Sequence, residues 1–213
     1  MLDRKGFDLW ADGYDKSVNL SEESNEYPFA GYRDVLNYIY NQVREKDNAK
    51  VLDIGFGTGI LTTKLYNSGC NITGIDFSSN MIDIAKQKMP NATLINLDFT
   101  KGLPYEIRNY KFDYIISTYA IHHLKDKEKV DFIKSLSTLL YEKGKILIGD
   151  ISYETSSEFE KSKKKYKEYW DNDEVYFIAE EIKKDLNYKY FYEYTKISHC
   201  AGVLTISNSK FNE

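Results

Sequence analysis

The stretch that decides the fold runs from residue 50 to residue 63 and reads Lys-Val-Leu-Asp-Ile-Gly-Phe-Gly-Thr-Gly-Ile-Leu-Thr-Thr. Its first part is a short apolar run of the kind that forms a buried strand. Gly55, Gly57 and Gly59 follow, and the residues after them are typical of a helix start. A strand, a glycine turn and a helix in this order predict the ligand-binding edge of a doubly wound α/β sheet, because glycines let the backbone approach a ligand closely.

The spacing of these glycines bears on the kind of ligand. A dinucleotide fingerprint has the pattern G-x-G-x-x-G, which from Gly55 would need a third glycine where the chain has Ile60. The pattern here is G-x-G-x-G, which favours a nucleoside that carries an amino acid tail over a pyrophosphate. A glycine turn without any ligand is the alternative interpretation.

Acidic residues mark the ends of three predicted strands. Asp76 ends the second strand, about 20 residues after Gly55, where a carboxylate accepts hydrogen bonds from ribose hydroxyls in this kind of sheet. Asp98 follows the third strand, and we expect it to accept a hydrogen bond from an adenine amino group. Together with Asp53 in the first strand, these carboxylates would lie along one edge of the sheet. Helix capping is the alternative role for Asp76.

Apolar and titratable side chains complete the predicted site. Phe77, Met81 and Phe99 are expected to pack against the purine, with ordinary core packing as the alternative. The acceptor end is predicted after the fourth strand, where the candidates are Ser117, Thr118, Tyr119, His122 and His123. Ser117 and Thr118 are expected to hold the amino acid tail of the ligand.

His122 and His123 are the candidate general bases, because histidine titrates near neutral pH. Purely structural roles for both are the alternative. Tyr14, on the first predicted helix, is a candidate lid residue over the ligand, or else a packing residue.

Composition narrows the class of protein. The chain has 213 residues and a net charge of −4, so it has no global basic footprint for nucleic acid. Two cysteines and three histidines give neither a disulfide framework nor the spacing of metal ligands. No apolar run approaches the length of a membrane span. We therefore expect a cytoplasmic monomer or weak homodimer without metal, membrane or nucleic-acid partners.

Strands and helices are predicted to alternate along the chain, which favours a parallel sheet. The predicted strands are 50–55, 72–76, 93–97, 111–118, 145–150, 188–198 and 201–208, and the predicted helices are 7–18, 29–46, 58–68, 79–88, 126–141 (ending at Gly144), 155–170 and 174–186 (capped by Asp173). We expect one domain over 1–213, with an N-terminal helical cap (1–46), a cofactor-binding core (50–150), a helical cover (151–186) and a closing strand pair (188–208).

Three motifs together give a family resemblance. They begin at Phe7 (Phe-Asp-Leu-Trp-Ala-Asp-Gly-Tyr-Asp), at Gly55 (Gly-Phe-Gly-Thr-Gly) and at Ser117 (Ser-Thr-Tyr-Ala-Ile-His-His-Leu). With them the chain resembles the class I S-adenosylmethionine-dependent methyltransferases, and within these the YrrT-type family of small bacterial methyltransferases. The resemblance covers residues 7–150 well and is faint beyond them.

The resemblance implies a fold and a set of site residues. The fold is a doubly wound α/β fold whose mostly parallel, seven-stranded sheet has an antiparallel last strand. Gly55 would bind S-adenosylmethionine through its backbone, Asp76 through the ribose and Asp98 through the adenine. Asp53, Gly57 and Gly59 belong to the same expected cofactor site.

The expected function is methyl transfer from S-adenosylmethionine to a small-molecule acceptor. Two alternatives remain open at this point: an NAD-dependent oxidoreductase, and a protein that binds S-adenosylmethionine without transferring its methyl group. A nucleic-acid methyltransferase is disfavoured, because no Asn-Pro-Pro-Tyr-type tetrapeptide follows the fourth strand.

Overall fold

A computed structural model describes residues 26–186 and 189–208 of the protein. These residues contain eight strands: β1 (Lys50–Ile54), β2 (Asn71–Asp76), β3 (Thr93–Asn96), β4 (Phe112–Thr118), β5 (Leu140–Tyr153), β6 (Phe177–Ile178), β7 (Phe191–Lys196) and β8 (Ala201–Ser207). Seven of them lie in the order β3-β2-β1-β4-β5-β8-β7, and the two-residue β6 pairs with β5 outside this path.

The sheet is parallel except at one strand. The pairs β1–β2, β1–β4, β2–β3 and β4–β5 are parallel, whereas β8 is antiparallel to both β5 and β7. This confirms the predicted fold class. The chain moves outward from β1 to β3 and returns on the other side of β1 as β4, so the direction of winding reverses between β1 and β4. A crevice for ligands opens at the carboxyl ends of the strands at such a point.

Helices cover both faces of the sheet. They are α1 (Tyr32–Val43), α2 (Ile60–Asn67), α3 (Ser79–Lys88), α4 (Asp126–Ser137), α5 (Ser156–Lys165) and α6 (Ala179–Asp185). Neighbouring residues of β1 point to opposite faces: Val51 packs in one buried cluster with α1 and α2, and Leu52 packs in another with α4 and α6. The sheet is therefore buried on both faces, as parallel sheets usually are.

One glycine lets α1 lie close to the sheet. A Cβ atom at Gly149 of β5 would collide with the side chain of Val35 and come within 3.0 Å of that of Ile39. Both of these α1 residues are fully buried. The helix thus packs directly on the strand that runs to the ligand-binding edge.

Three predicted helices extend several residues too far at one end. The helix expected to continue to residue 141 ends at Ser137, because the chain turns into β5, where Leu140 pairs with Phe112. The helix expected over 174–186 begins only at Ala179, and Asp173 does not cap it. Backbone hydrogen bonds explain this second error, since Val175 donates to the carbonyl of His122 and β6 pairs with β5.

The helix expected over 155–170 ends at Lys165, and the predicted helix 7–18 with Tyr14 lies outside the described residues.

None of the helices in the described ranges has the length and apolarity that crossing a bilayer requires.

Candidate functional site

A cavity of about 370 Å³ opens at the carboxyl ends of β1, β2 and β4. The glycine turn and Asp76 border it on the side of β2. Residues that follow β4, together with the segments 27–32 and 169–176, border it on the side of β5. This is the edge of the sheet at which the sequence predicts a ligand.

The glycine turn has a left-handed backbone at each of its three glycines, with φ values of 70° at Gly55, 57° at Gly57 and 77° at Gly59. A Cβ atom at Gly55 would lie 2.5 Å from the Cβ of Ala120, so this glycine is required by packing. A Cβ at Gly57 would meet no atom within 4 Å, because Gly57 borders the open cavity. Gly59 does not line the cavity and precedes α2.

Asp76 is held in place by the backbone around it. Its Oδ2 accepts a hydrogen bond of 2.9 Å from the N–H of Gly57, and its Oδ1 accepts one of 2.9 Å from the N–H of Ser78. The carboxylate is nearly buried but lines the cavity. A carboxylate that is oriented on one side by two backbone donors can accept ligand hydroxyls on the other.

The expected adenine-binding residues separate into two groups. Phe77, Met81 and Phe99 line the cavity, and Phe99 is supported from behind by Phe132, with 5.6 Å between the ring centroids. Asp98 does not line the cavity. Its Oδ1 accepts hydrogen bonds from the N–H and the hydroxyl of Thr100, so its role toward adenine stays a prediction.

Lys101 forms an ion pair of 3.0 Å with the same Asp98 carboxylate. Burial opposes ionisation of Asp98, but the hydrogen bonds from Thr100 and the Lys101 ammonium outweigh it and lower its pKa.

Asp53 and Ser117 lie beneath the glycine turn and do not line the cavity. The Ser117 hydroxyl donates to the carbonyl of Ile54 at 2.8 Å, which ties β4 to the end of β1. Asp53 Oδ2 accepts a hydrogen bond of 2.6 Å from the Thr62 hydroxyl, whereas its Oδ1 has no partner among the described residues. Burial raises the pKa of Asp53 to about 7, and the nearby Asp76 adds to this effect.

His122 lies in a short 3₁₀ turn after β4 and contacts two carboxylates. Its Nδ1 lies 2.7 Å from Asp150 Oδ1, its backbone N–H donates to Asp150 Oδ2 at 3.2 Å, and its Nε2 lies 3.6 Å from Glu174 Oε1. Burial opposes the imidazolium, but Asp150 and then Glu174 stabilise it, so the pKa of His122 is raised.

His123 also borders the cavity and differs from His122 in its electrostatics. The two rings are 4.3 Å apart between centroids. Burial and the neighbouring His122 lower the pKa of His123 to about 4, so its imidazole is neutral at physiological pH. Of the other residues expected near the acceptor, Thr118 and Tyr119 line the cavity, and Tyr14 lies outside the described residues.

Residues around this end of the cavity that were not singled out from the sequence include Tyr27, Asp150, Asp171, Glu174 and Tyr176. Asp150 had a usable signal, because like Asp76 it lies at the carboxyl end of a predicted strand. The other four had none, since they lie in predicted loop or helix and reach the cavity only through the tertiary fold.

Comparison with known proteins identifies the family to which this chain belongs. Residues 45–195 match a family model described as a methyltransferase domain. A protein of Anoxybacillus flavithermus, named as an uncharacterised methyltransferase, is 40% identical over 147 residues, which are 69% of this chain and 66%, just under two thirds, of that protein. A protein of Alkaliphilus oremlandii with the same name is 32% identical over 191 residues, which are 90% of this chain and 84% of that protein.

A solved structure supports the fold. The structure titled as a DhpI-SAH complex superposes with a TM-score of 0.72 at 15% sequence identity, covering 97% of this chain and 95% of that chain. The name SAH denotes S-adenosylhomocysteine, the product of methyl transfer from S-adenosylmethionine.

Proposed function

The chain belongs to the methyltransferase family and is an S-adenosylmethionine-dependent methyltransferase, and we propose that its methyl acceptor is a small molecule bound between the end of β5 and the segments 27–32 and 169–176. The observation that carries this proposal is the small volume of the cavity. Its volume of about 370 Å³ is at the lower end of the range of small-molecule sites. A bulky macromolecular acceptor would not fit inside it.

The residues around the glycine turn fit S-adenosylmethionine. Gly57 faces open space where any larger residue would project a side chain, and the Asp76 carboxylate lies beside it. We propose that Asp76 binds the two ribose hydroxyls and that Phe77, Met81 and Phe99 contact the adenine. Asp53 lies beneath the turn and stabilises the conformation of the loop through its hydrogen bond from Thr62.

Methyl transfer depends more on the position of the acceptor atom than on acid–base catalysis. S-adenosylmethionine supplies a methyl group already activated on a sulfonium sulfur. The protein must hold the acceptor atom about 3–3.5 Å from the methyl carbon and on the side opposite the sulfur. Tyr119, His122 and Tyr176 border the region where such an acceptor would lie, and they are buried, which excludes water.

Replacing Asp76 by Ala tests the cofactor site. We expect the affinity for S-adenosylhomocysteine, measured by titration calorimetry, to fall by about 2–4 kcal/mol, because two charge-assisted hydrogen bonds to the ribose are lost. Asp131→Ala, which changes an exposed carboxylate on α4, is the matched control and should bind as wild type does. An affinity within about threefold of wild type for Asp76→Ala would refute the assignment.

A turnover assay tests whether the methyl acceptor is a small molecule. Wild-type protein incubated with S-adenosylmethionine and fractionated metabolites should release S-adenosylhomocysteine with a low-molecular-weight fraction. Release only with protein or nucleic-acid fractions would overturn the small-molecule proposal. The absence of a nucleic-acid partner, the monomeric or weakly dimeric state and the YrrT-type subfamily stay predictions.

A further inference from the structure

We propose that the methyl acceptor is a small organic amine, which binds as an ammonium ion between aromatic rings and the carboxylates of Glu174 and Asp171 and gives its proton to Glu174. This inference deepens the proposed function and rests on it. It follows from the charge, the aromatic lining and the geometry of the β5 side of the cavity.

The charged side chains of the described residues that line the cavity are mostly negative. Among the described residues that border the cavity, the ionisable side chains apart from tyrosine are Asp76, Asp171, Glu174 and the two histidines, and none is a lysine or an arginine. His122 is paired with Asp150, so its positive charge is already matched. At the described part of the lining, an acceptor with a carboxylate or phosphate group would meet carboxylates and no lysine or arginine, whereas an ammonium ion would be attracted.

Asp76 and Glu174 serve different parts of the cavity. Asp76 ends β2, and Glu174 contacts His122, which follows β4. Because β1 lies between β2 and β4 in the sheet, these two carboxylates approach the cavity from strands that are not neighbours. With Asp76 assigned to the ribose, Glu174 and Asp171 remain for the acceptor.

The aromatic rings at this end are held rigidly. Tyr27 stacks on Tyr166 and Trp170, with ring centroids 5.0 Å and 5.6 Å apart, and meets the edge of Tyr176. The hydroxyls of Tyr27 and Tyr176 lie 2.6 Å from each other. Tyr119 and Tyr176 border the cavity at this end, and tyrosine rings attract organic cations through the ring quadrupole, more strongly where water is excluded.

Glu174 is placed to act on a bound amine. The neighbouring Val175 donates its N–H to the carbonyl of His122 at 2.9 Å, which anchors the segment. The Glu174 side chain, 24% exposed, contacts His122 and is hydrogen-bonded to Tyr176. Burial raises the pKa of Glu174, an effect that His122 and Tyr176 reduce but do not cancel. A carboxylate with a raised pKa is a better proton acceptor.

The chemical steps balance with the groups named. The ammonium loses one proton to the Glu174 carboxylate, and its nitrogen regains a lone pair. That lone pair forms the new N–C bond to the methyl carbon while the C–S bond breaks and its electron pair goes to sulfur. The products are a methylated ammonium ion and the neutral thioether S-adenosylhomocysteine, and Glu174 then releases its proton to water.

The test uses three probes that share one ring and differ in their functional group: benzylamine, benzoate and benzyl alcohol. Each is titrated into protein saturated with S-adenosylhomocysteine. Benzylamine should bind at least about tenfold more tightly than the other two, because only it carries a positive charge for Glu174 and the rings. Glu174→Gln should lose this preference while keeping wild-type affinity for S-adenosylhomocysteine, and Glu168→Gln, an exposed control, should retain it.

Several results would overturn the inference. They are tighter binding of benzoate, equal binding of the three probes, no binding of any probe, or an unchanged preference in Glu174→Gln. A failure of the proposed function is distinct from these, since it would show as no binding of S-adenosylhomocysteine or no methyl transfer to acceptors of any class.

Discussion

Asp53 is a buried carboxylate beneath the glycine turn and does not line the cavity. It is 1% exposed, accepts one hydrogen bond from Thr62, and lies beneath the glycines that border the cavity. Its Oδ1 has no partner among the described residues, so ionising it costs free energy that is not recovered by hydrogen bonding. This is the physical reason that its pKa is raised to about 7.

The stability of the protein should therefore depend on pH through Asp53. The folded state keeps a proton on Asp53 up to about pH 7, whereas the unfolded state releases it near pH 3.8, so this group lowers stability as pH rises between these values. Asp53→Asn cannot ionise. We expect its stability relative to wild type to improve by about 1–4 kcal/mol from pH 4 to pH 8, at about 1.4 kcal/mol per pKa unit.

Urea unfolding of the ligand-free proteins at several pH values measures this difference. Asp131→Asn, at an exposed position, serves as control and should follow wild type. A constant difference between Asp53→Asn and wild type across the range would show that the carboxyl titrates normally.

At the scale of elements, α5 and the residues after it bring aromatic side chains against Tyr27, which lines the cavity. The helix begins after Thr155, whose hydroxyl accepts a hydrogen bond of 3.2 Å from the N–H of Glu158. Beyond its end, Tyr166 and Trp170 stack on Tyr27. The helix that Thr155 caps thus leads directly into the segment that carries these rings.

Removing this helix cap should have a measurable cost. Thr155→Ala leaves an N–H at the start of α5 without its side-chain acceptor, and we expect the free energy of unfolding to fall by about 0.5–2 kcal/mol in urea titrations. Thr155→Ser keeps the hydroxyl and should stay within a few tenths of a kcal/mol of wild type. Equal stability of the Ala and Ser variants would mean that the cap contributes nothing.

At the scale of the whole molecule, one cavity joins residues from distant parts of the chain. Its lining extends from Tyr27 to Tyr176 and includes the ends of β1, β2 and β4. A ligand that fills it contacts both sides of the sheet's switch point and binds only the folded state. Binding therefore shifts the unfolding equilibrium of the entire domain.

S-adenosylhomocysteine should raise the melting temperature. At a concentration one hundred times its dissociation constant the ligand stabilises the folded state by about 2.7 kcal/mol, which for a chain of this size corresponds to a rise of about 5–11 °C. NADH at the same concentration should give no shift, since the glycine turn lacks the dinucleotide spacing. Stabilisation by NADH but not by S-adenosylhomocysteine would contradict the cofactor assignment.

The sequence by itself determined the alternation of strands and helices in the core, the glycine turn and the place of Asp76. These depend on local features, because hydrophobic period, glycine conformation and the spacing of an acid after a strand are set by neighbouring residues along the backbone. The predicted bounds of α3 agree with the structure at both ends.

Only the tertiary structure decided which side chains meet at the acceptor end. Residues 174–178 have a helix-like pattern, yet Val175 bonds to the backbone of His122 and Phe177 pairs with Ser152 of β5. These long-range hydrogen bonds replace the local ones that a helix would form. They carry Glu174 to His122, a contact between residues far apart in the chain that no local pattern encodes.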